Sequence, residues 1–201
     1  MTRQPEIVAL VLAAGRGTRF GQSPKLLAQL DGKPLVRHAV EAALGAGFAT
    51  LVVLGHREPE IKAALDDLPV GFVFNPIYAD GLSTSLKAGF GALPRSAEAA
   101  IILLGDMPGI TPDLLHRLVA AWKAAGRPSA AIPVAAGQRG NPVLLSWQLA
   151  PEIEALSGDA GAGRLLRNRA DVVEIAVNDQ AVTLDVDTAE ALAAAAARPR
   201  I

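Results

Sequence analysis

Hydrophobic positions along the chain follow two alternating rhythms. Short, nearly continuous apolar runs bounded by glycine, proline or polar residues read as strands buried on both faces. Such runs cover residues 7–12, 50–54, 72–74 and 99–104, and 130–134, 142–145, 172–176 and 181–184 continue the series. Between them, apolar residues three or four apart predict helices over 34–46, 59–65, 82–90, 111–125, 148–156, 162–168 and 188–197. The end signals agree: Pro34 and Pro112 suit first turns, Thr111 and Thr188 suit N-caps, and Gly47 suits the position just past a helix C-terminus. Strands separated by helices predict a single-domain, mostly parallel α/β sheet covered on both faces, with no repeat or long linker. Ligands of such sheets bind beyond the carboxyl ends of the strands, so the loops after the first, third and fourth strands face one crevice.

Composition narrows the possibilities. The chain has 201 residues, 51% hydrophobic but only 4% aromatic, so its core is built from Ala, Val, Leu and Ile. No apolar run approaches the ~18 residues that span a bilayer, and the first residues lack a signal-peptide layout, so the expected setting is cytoplasmic with no membrane partner. The absence of cysteine excludes disulfides, thiolate zinc sites and cysteine nucleophiles. A net charge of −1 offers no broad basic field for nucleic acid; cations cluster instead between residues 16 and 37. His38 and His116 fall inside helical patterns without metal-ligand spacing and read as structural, while His56, after the second strand, is open. No G-x-S-x-G elbow supports serine hydrolysis.

The first strand runs into Leu12-Ala13-Ala14-Gly15-Arg16-Gly17-Thr18-Arg19-Phe20-Gly21, followed by Lys25. Small residues let backbone N–H groups approach a polyanion, and the cations at 16, 19 and 25 would neutralise it. The loop is neither familiar phosphate grip: Phe20 stands where a dinucleotide fingerprint needs its third glycine, and Gln22 follows Gly21 where a P-loop needs lysine. The alternative is a glycine-rich strand-to-helix turn with exposed arginines.

The fourth strand ends Leu104-Gly105-Asp106-Met107-Pro108, placing a carboxylate at the ligand edge of the sheet. Mg²⁺ takes hard oxygen ligands, often one or two carboxylates plus substrate phosphates, which suits Asp106 better than a turn-capping role. Leu184-Asp185-Val186-Asp187-Thr188 supplies a second pair. Alternation would put Asp185 and Asp187 on one strand face. Asp187 stands open between a second metal ligand and an acid at a helix N-terminus; Asp185 reads as the latter. After the third strand, Asn75-Pro76 through Gly81 to Ser85-Leu86 opens a helix with hydroxyls and N–H groups suited to a ribose, base or phosphate, or to ordinary capping. The loops Arg139-Gly140-Asn141-Pro142 and Ser157-Gly158-Asp159-Ala160-Gly161 are acceptor-binding candidates, or plain turns, through Arg139, Asn141 and Asp159.

Taken in order, these segments resemble the nucleotidyltransferases of molybdenum cofactor biosynthesis, most closely the molybdenum cofactor cytidylyltransferases. The likeness spans nearly the whole chain. It is carried by Leu12-Ala13-Ala14-Gly15 with Arg19, Gly21 and Lys25; Asn75-Pro76 with Gly81 and Ser85; Gly105-Asp106-Met107-Pro108; Gly140-Asn141-Pro142; Gly158-Asp159; and Asp185-Val186-Asp187-Thr188. The resemblance implies a Rossmann-like three-layer sandwich of the nucleotide-diphospho-sugar transferase kind. It also implies transfer of CMP from CTP to the terminal phosphate of molybdenum cofactor (molybdopterin) with Mg²⁺, pyrophosphate being released. A molybdenum hydroxylase would receive the product.

Residue by residue, the resemblance implies nucleotide contacts from Leu12, Ala13, Ala14, Gly15, Arg16, Gly17, Lys25, Asn75, Gly81, Ser85 and Asp106. It implies catalytic roles for Arg19, Lys25 and Asp106, and metal binding by Asp106 with Asp187. Leu-Ala-Ala-Gly is similar to the cytidylyl form and Leu-Ala-Gly-Gly to the guanylyl form, so the Ala14 methyl would narrow the base pocket toward a pyrimidine. One departure stands out: similar proteins have Gly-Asp-x-Gly-Ala-Arg, whereas here Gly163 holds the arginine position and Arg164 follows, a shift of about 100° around a helix. The alternatives are guanylyl or sugar-phosphate transfer on the same fold, and a non-catalytic molybdenum cofactor carrier.

Overall fold

The computed structural model describes residues 6–17, 20 and 24–196. In chain order its elements are β1 (Ile7–Ala13), the short strands β2 (Gln29–Leu30) and β3 (Lys33–Pro34), α1 (Leu35–Gly45), β4 (Ala49–Leu54), α2 (Glu58–Ala63), β5 (Gly71–Phe74), α3 (Leu82–Gly91), β6 (Ala99–Leu104), α4 (Pro112–Ala124), β7 (Ala130–Ala135), β8 (Gln138–Arg139), β9 (Val143–Ser146), α5 (Ala150–Glu154), α6 (Ala162–Leu166), β10 (Val172–Ala176) and α7 (Ala189–Ala196).

The main sheet runs β10-β7-β9-β6-β1-β4-β5, with β8 paired to β7. β1 lies at its centre, parallel to β4 and β6, and every one of its residues is buried. That burial explains why its sequence is a continuous apolar run rather than an alternating one. Ala9, Val11 and Ala13 face the layer of α1 and α4, packing with Val36, Val40, Leu115 and Trp122. Val8, Leu10 and Leu12 face the opposite layer, with Leu86 and Phe90 of α3 and Ile153 of α5. The result is the three-layer, mostly parallel sandwich expected from the sequence. The exceptions are β9, antiparallel to both β6 and β7, and the short β8, antiparallel to β7. No helix among the described residues is long and apolar enough to cross a membrane.

The cap signals at Thr111 and Gly47 are used: Thr111 Oγ1 accepts the Leu114 amide, and Gly47 takes a positive φ of 75° after α1. The expected strand over 181–184 does not form. Gln180–Thr183 is a 3₁₀ turn whose first amide, from Ala181, is held by the Asp179 side chain at 2.8 Å. Its carbonyl at Val182 accepts the Asn141 amide at 2.7 Å, so this backbone pairs with a loop and not with the sheet. A short apolar run carries no period that distinguishes these outcomes, and here the aspartate turn decides. The pattern over 148–156 likewise divides into a 3₁₀ turn and α5, where Pro151 occupies the first turn.

Leu10 is fully buried at the middle of the central strand. Leu10→Ala is expected to cost about 2–5 kcal/mol in chemical denaturation through lost burial and a residual cavity, with little change in m-value.

Candidate active site

The site is assembled where the strands end. The Leu12 carbonyl accepts the Gly105 amide at 3.0 Å and the Ala14 carbonyl accepts the His56 amide at 3.1 Å, so the loops leaving β6 and β4 are bonded to the end of β1. Packing is close. A Cβ on Gly55 would lie 2.7 Å from Tyr78 and 2.8 Å from the Ala14 methyl. Gly17 has a φ of +59°, and a Cβ there would lie 2.9 Å from the Lys25 Cβ, so the glycine loop folds directly over the lysine stem.

Lys25 begins a 3₁₀ turn and is buried. Its Nζ donates to Asp106 Oδ2 at 2.5 Å and to Asp187 Oδ1 at 2.5 Å. Burial alone would disfavour the ammonium, but the charges and hydrogen bonds of Asp106 and Asp187 outweigh it and hold the lysine above its ordinary pKa. The Asp106 carbonyl also accepts the Val186 amide at 3.0 Å, fixing the 185–187 segment beside the end of β6. Carboxylate oxygens of Asp106, Asp185 and Asp187 consequently lie within 4.8 Å of one another. Asp106 Oδ1 is buried without a hydrogen-bond partner among the described residues. An orphaned buried carboxylate oxygen calls for a cation or donor, and an all-oxygen set of this kind fits a hard divalent ion.

The loop after β5 is held from within. Asn75 is buried; its Nδ2 donates to Thr84 Oγ1 at 2.8 Å and Ser85 Oγ at 3.0 Å, and its Oδ1 accepts the Ile77 amide at 3.1 Å. Its polar atoms are thus engaged inside the loop, and it lines neither of the two cavities described next. Its contribution is to position Ser85, which does face the cleft and, having accepted from Asn75, can turn its own hydroxyl proton toward a ligand.

Two adjoining cavities occupy the crevice. One, of about 460 Å³, is bounded by Ala14, Gly15, Arg16, Gly17, Lys25 and Ser85, with Tyr78, His56 and the three carboxylates. The Arg16 guanidinium lies 5.7 Å from the centre of the Tyr78 ring, and the His56 ring 6.0 Å from it. The other, of about 550 Å³, has an apolar floor of Leu82, Leu86, Ile102 and Leu104 and a polar rim of Asn141, Asp159, Arg164 and Arg167. Leu12, Leu82, Leu104 and Asp159 border both. At their junction Gly81 has a φ of +110°, a Cβ there would stand 2.2 Å from the Gly158 carbonyl carbon, and the Ser83 amide donates to the Gly158 oxygen at 3.1 Å.

Several sequence expectations shift. Ala13 packs into the core beneath the site. Arg139 lines neither cavity; it is bound to Glu174 at 2.7 Å and to the Leu166 carbonyl at 2.7 Å. Arg164, on α6, and Arg167, at its C-cap, stand at the rim instead, and neither guanidinium makes an ion pair among the described residues. Asp185 joins the carboxylate cluster although the sequence reads it as structural. Arg19 lies outside the described residues. His38 and His116 hydrogen-bond backbone carbonyls, of Leu30 and Ala46, as structural histidines do. Tyr78 and Arg167 escaped the sequence reading; the signal for the first was available, since Tyr78 is the chain's one tyrosine and sits in a polar loop.

Comparison with known proteins bears on this geometry. Residues 9–173 match the family described as the MobA-like NTP transferase domain. The chain is 31% identical over 196 residues to a protein named nicotine blue oxidoreductase from Paenarthrobacter nicotinovorans, covering 94% of this chain and 96% of that one. It is 36% identical over 135 residues to the bifunctional protein GlmU of Sorangium cellulosum, covering 63% of this chain and 28% of that longer protein. Among solved structures, Rv0371c of Mycobacterium tuberculosis superposes with a TM-score of 0.85 at 28% identity, covering 96% and 99% of the two chains. A manganese complex of Rv0371c superposes with a TM-score of 0.81 at 27% identity, covering 94% and 97%.

Gly81→Ala tests the junction. The added methyl collides with backbone at a φ that disfavours any side chain, so a loss of about 2 kcal/mol or more in thermal or denaturant unfolding is expected. Gly163→Ala, where a Cβ meets nothing within 4 Å, should stay within about 0.5 kcal/mol of the parent.

Proposed function

Because the chain belongs to the MobA-like NTP transferase family and is a nucleotidyltransferase, we propose that it transfers CMP from CTP to the terminal phosphate of molybdopterin, releasing pyrophosphate. The observation that carries this reading is the meeting of Lys25 with Asp106 and Asp187 at the floor of a glycine-lined cavity, beside a second cavity whose rim carries two arginines with no ion pair among the described residues. In this reading CTP takes the smaller cavity. The loop from Ala13 to Gly17 presents backbone amides and Arg16 to the nucleotide, Ser85 donates to it, and Lys25 neutralises its phosphates. Asp106 and Asp187, with Asp185 beside them, would hold Mg²⁺, which supplies charge neutralisation of the triphosphate when bound.

The acceptor takes the larger cavity. The face of its flat ring system rests on Leu82, Leu86, Ile102 and Leu104, and Arg164 and Arg167 grip its phosphate, replacing the role first expected of Arg139. Asn141 and Asp159 contribute polar contacts at the same rim. A terminal phosphate oxygen of the acceptor attacks the α-phosphorus of CTP; a new P–O bond forms as the bond to the β-phosphate oxygen breaks, and pyrophosphate leaves with that electron pair. The attacking oxygen is already ionised near neutrality, so the chain supplies positioning and charge rather than a strong base.

Cytosine over guanine rests on Ala14, whose methyl borders the smaller cavity and packs beside Gly55 and Tyr78. Guanylyl or sugar-phosphate transfer, or cofactor carriage without chemistry, is separated from the proposal by the product. Incubation of the chain with isolated molybdenum cofactor, Mg²⁺ and each common nucleoside triphosphate, read by product mass, is expected to give the cytosine dinucleotide. Equal turnover of GTP would overturn the base assignment, and cofactor binding without pyrophosphate release would favour the carrier.

Asp106→Asn is expected to lower turnover by about 10²-fold or more while circular dichroism stays native. Replacing Arg164 and Arg167 together by alanine should raise the acceptor KM by about tenfold or more with the CTP KM nearly unchanged; Arg139→Ala should show no such split.

A further inference from the structure

The ammonium of Lys25 bridges two of the carboxylates that would hold a divalent ion. Asp106 Oδ2 and Asp187 Oδ1 are each 2.5 Å from Nζ. A divalent ion bound to these same oxygens, about 2.1 Å from each, would have to take them from the ammonium and would bring two cations close together. Lysine and metal therefore compete for the same acceptors.

The surroundings fit an exchange. Lysine is a compact charge on a flexible four-carbon stem, able to swing its ammonium without moving its backbone. Here the stem runs under Gly17, and the head emerges into the cavity bordered by Gly15, Arg16 and Ser85, where the phosphates are placed. The other oxygen of Asp106 is buried without a hydrogen-bond partner among the described residues, so within them the cluster retains acceptor capacity even with the lysine in it.

We propose that Lys25 is a built-in counter-ion that keeps the carboxylate cluster closed to divalent metal until a triphosphate draws its ammonium away, so that metal and nucleotide enter together. Asp106, Asp185 and Asp187 repel one another when ionised, and Lys25 offsets that repulsion in the free protein. A triphosphate offers the ammonium a more highly charged partner in the same cavity, and the vacated oxygens then accept the metal that accompanies the nucleotide. This rests on the metal-binding part of the reading above and not on the identity of the base or acceptor.

Mn²⁺ binding, followed by electron paramagnetic resonance without turnover, tests it. The parent protein should bind Mn²⁺ alone weakly, and addition of CTP should tighten protein-bound Mn²⁺ by about tenfold or more beyond what free CTP binds. Lys25→Met should bind Mn²⁺ alone about tenfold or more tightly than the parent, and Asp106→Asn introduced into that variant should remove the gain. Arg16→Met, which deletes a charge from the same cavity without vacating the carboxylates, should change Mn²⁺ affinity much less. A Lys25→Met affinity equal to that of the parent, or equal gains from Lys25→Met and Arg16→Met, would overturn the proposal while leaving the metal reading in place. Absence of Mn²⁺ binding in every form, with or without CTP, would overturn both. Should Lys25→Met not fold, the parent alone decides: Mn²⁺ bound equally well with and without CTP ends the exchange.

Discussion

Like charges gathered beside the end of β6 must be compensated, and that requirement organises this protein. Asp106, Asp185 and Asp187 converge within 4.8 Å. Spread over solvent, three carboxylates would cost little; brought together under a loop, they demand a cation. Lys25 meets the demand from a position 81 residues before Asp106 and 162 before Asp187. The nearby small residues follow from this contact. Gly17 is bare because the lysine stem passes beneath it, and Gly105 because β6 ends against the Leu12 carbonyl, which lies 3.3 Å from where its Cβ would be.

The cleft is double, and its halves are mechanically joined. Leu12, Leu82, Leu104 and Asp159 wall both cavities, and Gly81 packs against Gly158 with no room for a side chain while the Ser83 amide donates to the Gly158 oxygen, joining the two loops through backbone. Asn75 carries the same logic inward: by holding Thr84, Ser85 and the Ile77 amide, it ties the start of α3 to the end of β5. A transfer reaction needs its two reactants held in fixed mutual geometry, and backbone contact between the loops that receive them is a direct way to provide it.

The strand-and-helix rhythm was legible because β1, β4 and β6 are largely buried apolar runs, β4 and β6 running straight into glycine and β1 into Ala14-Gly15. The Lys25 and Asp106 pairing followed from topology: both lie at the carboxyl edge of adjacent strands. Three kinds of information were not legible. Residues 181–184 carry an apolar run too short for its period to mean anything, and the Asp179 turn took it out of the sheet. Arg139 and Arg164 differ by their neighbours; Glu174, on β10 across β7, claims the first, and no residue nearby in sequence reveals it. Asp185 looked like a helix-end acid because its value depends on the Val186 amide reaching the Asp106 carbonyl, a contact across the fold.

That backbone bond between Val186 and Asp106 joins two distant stretches of chain in one cluster. The last strand of the sheet among the described residues ends at Ala176, whereas Asp185 and Asp187 follow it. The residues that build the sheet and two of the three acids that crowd its edge thus occupy separate parts of the sequence, so the acids can be altered without touching a strand.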